Sequence, residues 1–197
     1  VYTGDDADVI HGGLGNDYID GGFDDDWITG NAGNDTIIAG EGNDYVRGGA
    51  GDDVIHGGLP PGLPDALNVD DAFDLEPDNG DDVLLGNEGN DSIWGADDSD
   101  KIYGGEDDDY LNGGKDDDLL KGGTGNDIFA FDAGGGSDLV KDFTKGEDLI
   151  DLTSMGLTYG DLFLSQDASA AIISAGDVTI RLEKVDMDDL EEGDFLF

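Results

Sequence analysis

Twelve aspartates recur in this chain every nine residues in two blocks: Asp8, Asp17, Asp26, Asp35, Asp44 and Asp53, then, after a gap, Asp82, Asp91, Asp100, Asp109, Asp118 and Asp127. A carboxylate can serve as acid, base, nucleophile or metal ligand, and the spacing discriminates among these. A glycosidase needs one pair of carboxylates facing each other across one bond, whereas a recurrence every nine residues builds a column. Such a column repels itself unless a hard multivalent cation lies between its members. Calcium suits that place, because it takes roughly six to eight oxygen ligands in flexible geometry, from carboxylates and backbone carbonyls alike. Magnesium asks for tighter octahedral geometry and retained water, and softer metals ask for His or Cys. The chain has two histidines and no cysteine. It contains no H-E-x-x-H, no G-x-S-x-G and no phosphate loop, and in sequence neither His11 nor His56 has a partner set for catalysis. The fragment itself reads as non-enzymatic.

The elements that must position these acids follow from the rest of the period. "GGLGNDYID", "GGFDDDWIT", "GNAGNDTII", "AGEGNDYVR" and "GGAGDDVIH" succeed one another without a break from Gly12 to His56. Each fits G-G-x-G-x-D-x-U-x, with U apolar. Position eight is apolar in all twelve units: Ile10, Ile19, Ile28, Ile37, Val46, Ile55, Leu84, Ile93, Ile102, Leu111, Leu120 and Phe129. One apolar residue in nine cannot make an independent core, but stacked units bury a continuous ladder of them. Positions seven to nine therefore read as a very short strand and the first six residues as a sharp turn. Glycine supplies the positive φ angles that such a turn needs. Where position four is not glycine it is Asp, at Asp6, Asp24, Asp98, Asp107 and Asp116, a residue that tolerates left-handed backbone well. With two units per coil, alternate units stack on one side of a flattened roll and their carboxylates stack with them.

Composition bounds the class. Fifty Asp plus Glu against 8 Lys plus Arg leave a formal charge of -42. Self-repulsion of that size opposes folding unless cations neutralise it. It also excludes nucleic acid and anionic membrane surfaces as partners, since both need basic patches. No apolar run is long enough for a membrane span.

"GGLGNDYID", "GGAGDDVIH" and "GGTGNDIFA" resemble the calcium-binding RTX nonapeptide of haemolysin-type, type I-secreted bacterial proteins. The resemblance implies an all-β fold, a parallel β-roll or right-handed β-solenoid, with calcium held between each turn and the next on the same side. The position-six aspartates are then the metal ligands. Twelve units give ten same-side pairs, twelve minus two, hence roughly eight to ten calcium ions. Thr3 and Ala39 at position one and Ala96 at position two depart from the pattern and weaken individual turns.

The register divides the chain. Residues 1–59 form a first block of repeats, 60–79 an inserted loop holding all four prolines, 80–130 a second block and 131–197 a β-rich cap. The insertion reads as a surface excursion, or as a further calcium site or partner contact through Asp70, Asp71, Asp74 and Glu76. In the cap, Val178, Ile180 and Leu182 alternate with Thr179, Arg181 and Glu183, the pattern of a half-buried strand, hairpin-paired with "AAIIS" across "AGD". The run from Ser137 to Leu152 resembles the segment that closes the roll in serralysin-type proteases. "DFLF" at the end is similar to uncleaved type I secretion signals, and it also fits a last strand tucked into the core. Val1 and Tyr2 stand at positions eight and nine of a unit whose turn is missing, which reads as the C-terminal piece of a longer protein.

Outside the roll, His11 and His56 at position nine are expected to face solvent. One-coil spacing aligns Val9, Trp27 and Tyr45, with Val83 and Leu119 beyond the insertion, and an exposed apolar row marks a contact. Two functional classes follow. One is a secreted, extracellular or cell-surface calcium-binding module that folds on meeting external calcium and supports type I secretion of a larger protein, with the secretion machinery as partner. The other is a calcium-dependent module that binds polysaccharide or a surface, similar to the repeat modules of mannuronan epimerases, or that packs on an N-terminal domain of its own parent.

Overall fold

The computed structural model describes residues 1–58, 80–167 and 169–197. In it each nonapeptide makes one strand. The repeats give β1 (Tyr2–Gly4), β2 (Val9–Leu14), β3 (Tyr18–Gly22), β4 (Trp27–Ala32), β5 (Thr36–Gly40), β6 (Tyr45–Ala50), β7 (Val54–His56), β8 (Val83–Glu88), β9 (Ser92–Ala96), β10 (Lys101–Glu106), β11 (Tyr110–Gly114), β12 (Leu119–Thr124) and β13 (Ile128–Ala130). After them come β14 (Ser137–Val140), β15 (Leu149–Asp151), β16 (Phe163–Asp167), β17 (Ala170–Ala175), β18 (Val178–Glu183) and β19 (Phe195–Leu196), with short 3-10 turns between. There is no α-helix among the described residues.

Most strands are longer than positions seven to nine, because they run on through the glycine pair that opens the next unit. Gly13 pairs with Asn31 and Gly22 with Gly40 across parallel ladders. Backbone pairing extends there because a residue without a side chain lets the neighbouring coil come close. The bend is thus confined to a few residues. Position four takes left-handed backbone in it, with φ of 93° at Gly15 and 67° to 75° at Asp6, Asp24, Asp98, Asp107 and Asp116. All five aspartates foreseen there adopt it.

The odd-numbered strands apart from β17 form one sheet, β1-β3-β5-β7-β9-β11-β13-β15-β19, and the even-numbered strands with β17 form the other, ending β4-β2 at one edge and β14-β18-β17-β16 at the opposite one. The register is one coil of 18 residues, with Val9 beside Trp27 and Ile10 beside Ile28. Two sheets built from alternate units make a parallel β-solenoid of about seven turns. Position eight fills its interior: Ile10 is 4% exposed and the other eleven rungs 0%. Burying each such side chain contributes about 1.5–3 kcal/mol, so the ladder is the main apolar source of stability.

Two continuities matter for the site. Across the insertion, β6 pairs with β8 and β7 with β9, putting Tyr45 beside Val83 and Ile55 beside Ile93. Beyond Ala130, β14 and β15 continue the two sheets, with Leu120 beside Val140 and Phe129 beside Ile150. The β17–β18 hairpin forms as expected, Ala175 facing Val178, and Val178, Ile180 and Leu182 join the core cluster. Phe195 in β19 pairs with Ile150 and is buried, so the terminal "DFLF" contributes a last strand. The proposed roles of Asp70, Asp71, Asp74 and Glu76 fall outside the described residues.

Candidate metal centre

The position-six carboxylates are held by a repeated hydrogen bond. In each case the backbone N–H of one aspartate donates to Oδ1 of the aspartate one coil later: Asp8 to Asp26, Asp17 to Asp35, Asp26 to Asp44, and so on to Asp109 and Asp127, at 2.7 to 3.0 Å. This N–H fixes the carboxylate and leaves its second oxygen pointing elsewhere. In ten residues, Asp17, Asp26, Asp35, Asp44, Asp53, Asp82, Asp91, Asp100, Asp109 and Asp118, that Oδ2 is buried with no hydrogen-bond partner. A buried polar atom without a partner costs about 1–3 kcal/mol, more for a charged one. Ten in register make these columns the candidate place for another ligand.

The glycine at position one shows where that oxygen looks. A Cβ placed on Gly12 would stand 2.8 Å from both Asp17 Oδ2 and the Gly30 carbonyl oxygen, and Cβ atoms on Gly30, Gly86, Gly95 and Gly104 would collide with the corresponding Oδ2 and carbonyl. A carboxylate oxygen of one unit and a carbonyl oxygen of the unit one coil on therefore converge on the space that glycine leaves open. Ala39, buried at position one of the Asp44 unit, shows that a methyl can be housed there if its neighbours give way. Gly57 keeps the arrangement across the insertion, facing Asp82 Oδ2 and, 2.6 Å from a Cβ built on it, the Gly95 carbonyl oxygen.

Electrostatics point the same way. Burial, the largest cause, and neighbouring aspartates push Asp44, Asp100 and Asp109 up to about 8, Asp82 and Asp118 to about 9, Asp91 to about 7, and Asp53 and Asp127 to about 6, while the backbone N–H on each opposes the rise. Asp44, Asp82, Asp100, Asp109 and Asp118 therefore resist ionising at neutral pH unless a cation compensates. Among the described residues no three acidic or histidine side chains converge on one point. A cation here must be held by carboxylate oxygens supplemented with carbonyls, an all-oxygen donor set that fits calcium and not a soft metal.

The twelve aspartates are thus brought into two columns, one for each set of alternate units. Asp26 to Asp127 are buried, whereas Asp8 and Asp17 in the first coil are half-buried. The columns run further than the repeats. Asp118 N–H donates to Asp138 Oδ1 at 3.0 Å and Asp127 N–H to Asp148 Oδ1 at 3.0 Å. Spacing lengthens to 20 and 21 residues there, so the nine-residue phase misses them. The surviving signal is the triplet Asp-x-apolar, in Asp138-Leu139-Val140 and Asp148-Leu149-Ile150. Asp148 Oδ2 is satisfied by Thr144 N–H at 2.7 Å, and Asp142 accepts from Gly122 and Gly123 N–H at 3.0 and 3.1 Å.

Position five carries a second ladder, also missed, running the opposite way: Asn126 N–H donates to Asp108 Oδ1 at 2.7 Å, Asp108 N–H to Asn90 Oδ1 at 2.9 Å and Asn43 N–H to Asp25 Oδ1 at 2.9 Å. A preference for Asn or Asp there was the available sign. On the outer faces, His11 is exposed as expected. His56 is half-buried and stacks on Trp94 at 4.8 Å, since both stand at position nine of adjacent coils, and burial lowers its pKa. Of the row foreseen on the other face, Val9 and Trp27 are exposed, Tyr45, Val83 and Leu119 are half-buried, and Lys101 interrupts it between Val83 and Leu119, while Trp27 stacks on Tyr45 at 4.4 Å.

A parallel roll whose coils share carboxylate and carbonyl oxygens around an open glycine is the architecture of a calcium-binding repeat protein. The chain belongs to the family of the RTX calcium-binding nonapeptide repeat, whose model matches residues 2–37, 29–59, 77–111 and 103–140. It is similar to the extracellular lipase LipA from Serratia marcescens, at 18% identity and TM-score 0.48, over 93% of this chain and 38% of the lipase chain. Two subunits of the Azotobacter vinelandii mannuronan C5-epimerase are similar as well: AlgE6R2 at 25% identity and TM-score 0.39, over 77% of this chain and 91% of that one, and AlgE6R3 at 23% and 0.37, over 76% and 80%. This chain therefore spans well under half the length of the lipase. No curated protein sequence matches it.

Proposed function

We propose that this chain is a calcium-triggered folding module that supports the type I secretion and extracellular folding of a larger protein, with Asp8, Asp17, Asp26, Asp35, Asp44, Asp53, Asp82, Asp91, Asp100, Asp109, Asp118 and Asp127 as its metal ligands. The observation that carries this reading is the set of ten buried Oδ2 atoms without partners. Calcium supplies the charge that lets them stay ionised inside the roll. The residues do the rest: the N–H of the preceding coil orients each carboxylate, the position-one glycine leaves room, and the apolar rung beneath excludes water. Where calcium is scarce, repulsion within a chain of charge -42 keeps it extended and exportable. Where calcium is abundant, binding free energy becomes folding free energy. Roughly eight to ten ions are expected, each shared by two coils. In this reading the described residues are structural rather than catalytic.

A second reading, a calcium-dependent module that binds polysaccharide or a surface, is favoured by the Trp27–Tyr45 stack on an outer face, since paired aromatic faces stack on sugar rings. One titration addresses the first reading. Far-UV circular dichroism is coil-like in chelator and becomes strand-rich in millimolar calcium, with calorimetry counting the ions. A strand-rich spectrum in excess chelator overturns it.

A further inference from the structure

Position nine of one unit is followed by the position-one glycine of the next, so an asparagine at position nine makes an Asn-Gly peptide. This happens once in the twelve units, at Asn112–Gly113. The sequence has one other such peptide, Asn79–Gly80, whose asparagine lies outside the described residues. An Asn-Gly peptide can attack itself. The Gly113 backbone nitrogen bonds to Asn112 Cγ, the Cγ–Nδ2 bond breaks, and Nδ2 leaves as ammonia with the Gly113 amide proton. Water then opens the five-membered succinimide at one carbonyl or the other, leaving aspartate or isoaspartate. Glycine favours the step because no Cβ shields its nitrogen and its backbone rotates freely.

The roll keeps the reacting atoms apart. Asn112 lies in β11 with Trp94 of β9 on one side and Ala130 of β13 on the other. Parallel pairing holds ψ at about +115°, whereas ring closure has to turn the Gly113 nitrogen toward Cγ. Asn112 is 6% exposed, and its Nδ2 donates to Asp132 Oδ2 at 2.9 Å, which ties the side chain to the segment after β13. Gly113 is confined as well, since a Cβ on it would collide with Asp118 Oδ2. None of these restraints exists in an unfolded chain.

We propose that Asn112–Gly113 is a self-modification site gated by the fold: inert in the roll, reactive in the unfolded chain, and, once converted, a block to refolding. Isoaspartate carries the main chain through the former side-chain carbon, which adds a backbone atom between β11 and Gly113. Gly113 is then out of phase with Asp118 Oδ2, beside which only an in-phase glycine fits. The aspartate product instead replaces the amide donor with a second carboxylate facing Asp132. Calcium enters through the function proposed above, on which reading it is the ion that keeps the chain rolled. A calcium-free chain then has a covalent time limit.

The test incubates the full chain in calcium, in chelator and in urea. Peptide mass spectrometry follows the mass gain from amide to acid at Asn112, and circular dichroism follows the fold in the same samples. Conversion in calcium is expected to be at least about tenfold slower than in chelator, because modification of an open state tracks its population. Conversion as fast in strand-rich calcium samples as in urea overturns the proposal. Should the chelator samples stay strand-rich too, the calcium-folding reading has failed, and their rate against that in urea decides protection by the roll in the same way. The consequence is read by ageing. After conversion in chelator the calcium midpoint is expected to rise several-fold, while Asn112→Ser, aged alongside and compared with its own unaged midpoint, keeps it. The variant retains Asn79–Gly80, so a shift shared by both chains would overturn the block at β11.

Discussion

Asp109 and Asp148 hold equivalent places in one column, each accepting the N–H of the aspartate one coil earlier, from Asp91 and from Asp127. In the repeats the second oxygen of Asp109 is buried and unpartnered. In the closing segment Asp148 gives its second oxygen to Thr144 N–H, and Asp142 takes up Gly122 and Gly123 N–H. The same Asp-x-apolar triplet thus leaves its second oxygen without a protein partner in one region and has it satisfied by the backbone in the other. On the function proposed above, the two regions of one solenoid differ in what they need in order to fold, the repeats a cation and the closing segment only its own donors.

The largest expected effect comes from removing that self-sufficient region. A chain ending at Ala130 leaves Leu120 and Phe129 without Val140 and Ile150 beside them and exposes two strand edges. It is expected to stay coil-like by circular dichroism at calcium concentrations that fold the intact chain. Folding at an unchanged calcium midpoint would erase the distinction between the regions.

Single substitutions divide it more finely. Asp109→Ala removes a carboxylate from the middle of the second block and is expected to raise the calcium midpoint by about tenfold or more, with a lower ion count in calorimetry. Asp148→Ala removes the acceptor for two amides and is expected to cost about 1–3 kcal/mol, read as a lower thermal midpoint in saturating calcium, with the ion count intact. If both changed the ion count equally, the closing segment would be one more calcium coil.

Protons should act in opposite senses with and without calcium. The eight position-six aspartates from Asp44 to Asp127 have folded pKa values raised from 3.8 to between about 6 and about 9, by burial first and by neighbouring acids after it. A raised folded value means that protonation favours the roll. That contribution is complete below the unfolded value and is lost as pH climbs through about 6 to 9. In chelator, lowering the pH from 9 toward 5 is therefore expected to increase strand content at low protein concentration. In calcium, the same acidification raises the calcium midpoint, because proton and cation compete for one oxygen. Strand content in chelator that falls on acidification would contradict the buried carboxylate columns.

The smallest effect belongs to position five. Asp108 is exposed and its carboxylate accepts from Asn126 N–H and Nδ2, which hold its pKa below the usual carboxylate value. Asp108→Asn keeps the acceptor and should leave the calcium midpoint unchanged, whereas Asp108→Ala should shift it by less than about twofold, far less than Asp109→Ala. Equal shifts for Asp108→Ala and Asp109→Ala would mean that calcium responds to bulk acidity.

The contrast also explains what could be read from the residues alone. Position eight and position six were legible because a buried rung and a buried carboxylate each tolerate few alternatives, so Ile, Leu, Val or Phe and Asp recur without exception from Ile10 to Phe129 and from Asp8 to Asp127. The left-handed aspartates at position four were legible from backbone sterics. Asp138 and Asp148 were not, because the closing segment trades the nine-residue phase for longer connections and keeps only the triplet. Strands running on through the glycine pair were hidden as well, since glycine signals a bend while its missing side chain permits close pairing. His56 against Trp94 was hidden because contact across coils joins residues 38 apart in sequence.

That offset of 38 in place of 18 has a consequence of its own. Gly57 still faces Asp82 Oδ2, and Asp44 N–H still reaches Asp82 Oδ1 at 2.8 Å, as Asp26 N–H reaches Asp44 Oδ1 at 2.8 Å. Closure entropy grows only as the logarithm of the number of residues enclosed, so bringing coil to coil over 38 residues instead of 18 costs about 0.7 kcal/mol more. A cost that small is less than the stabilisation from one buried rung. The roll is in this sense indifferent to arc length and sensitive to angle. Between positions three and four a coil can accept added chain for little, provided that the chain returns at the same point of the turn, while a single residue added between positions six and eight would rotate the rung out of the core.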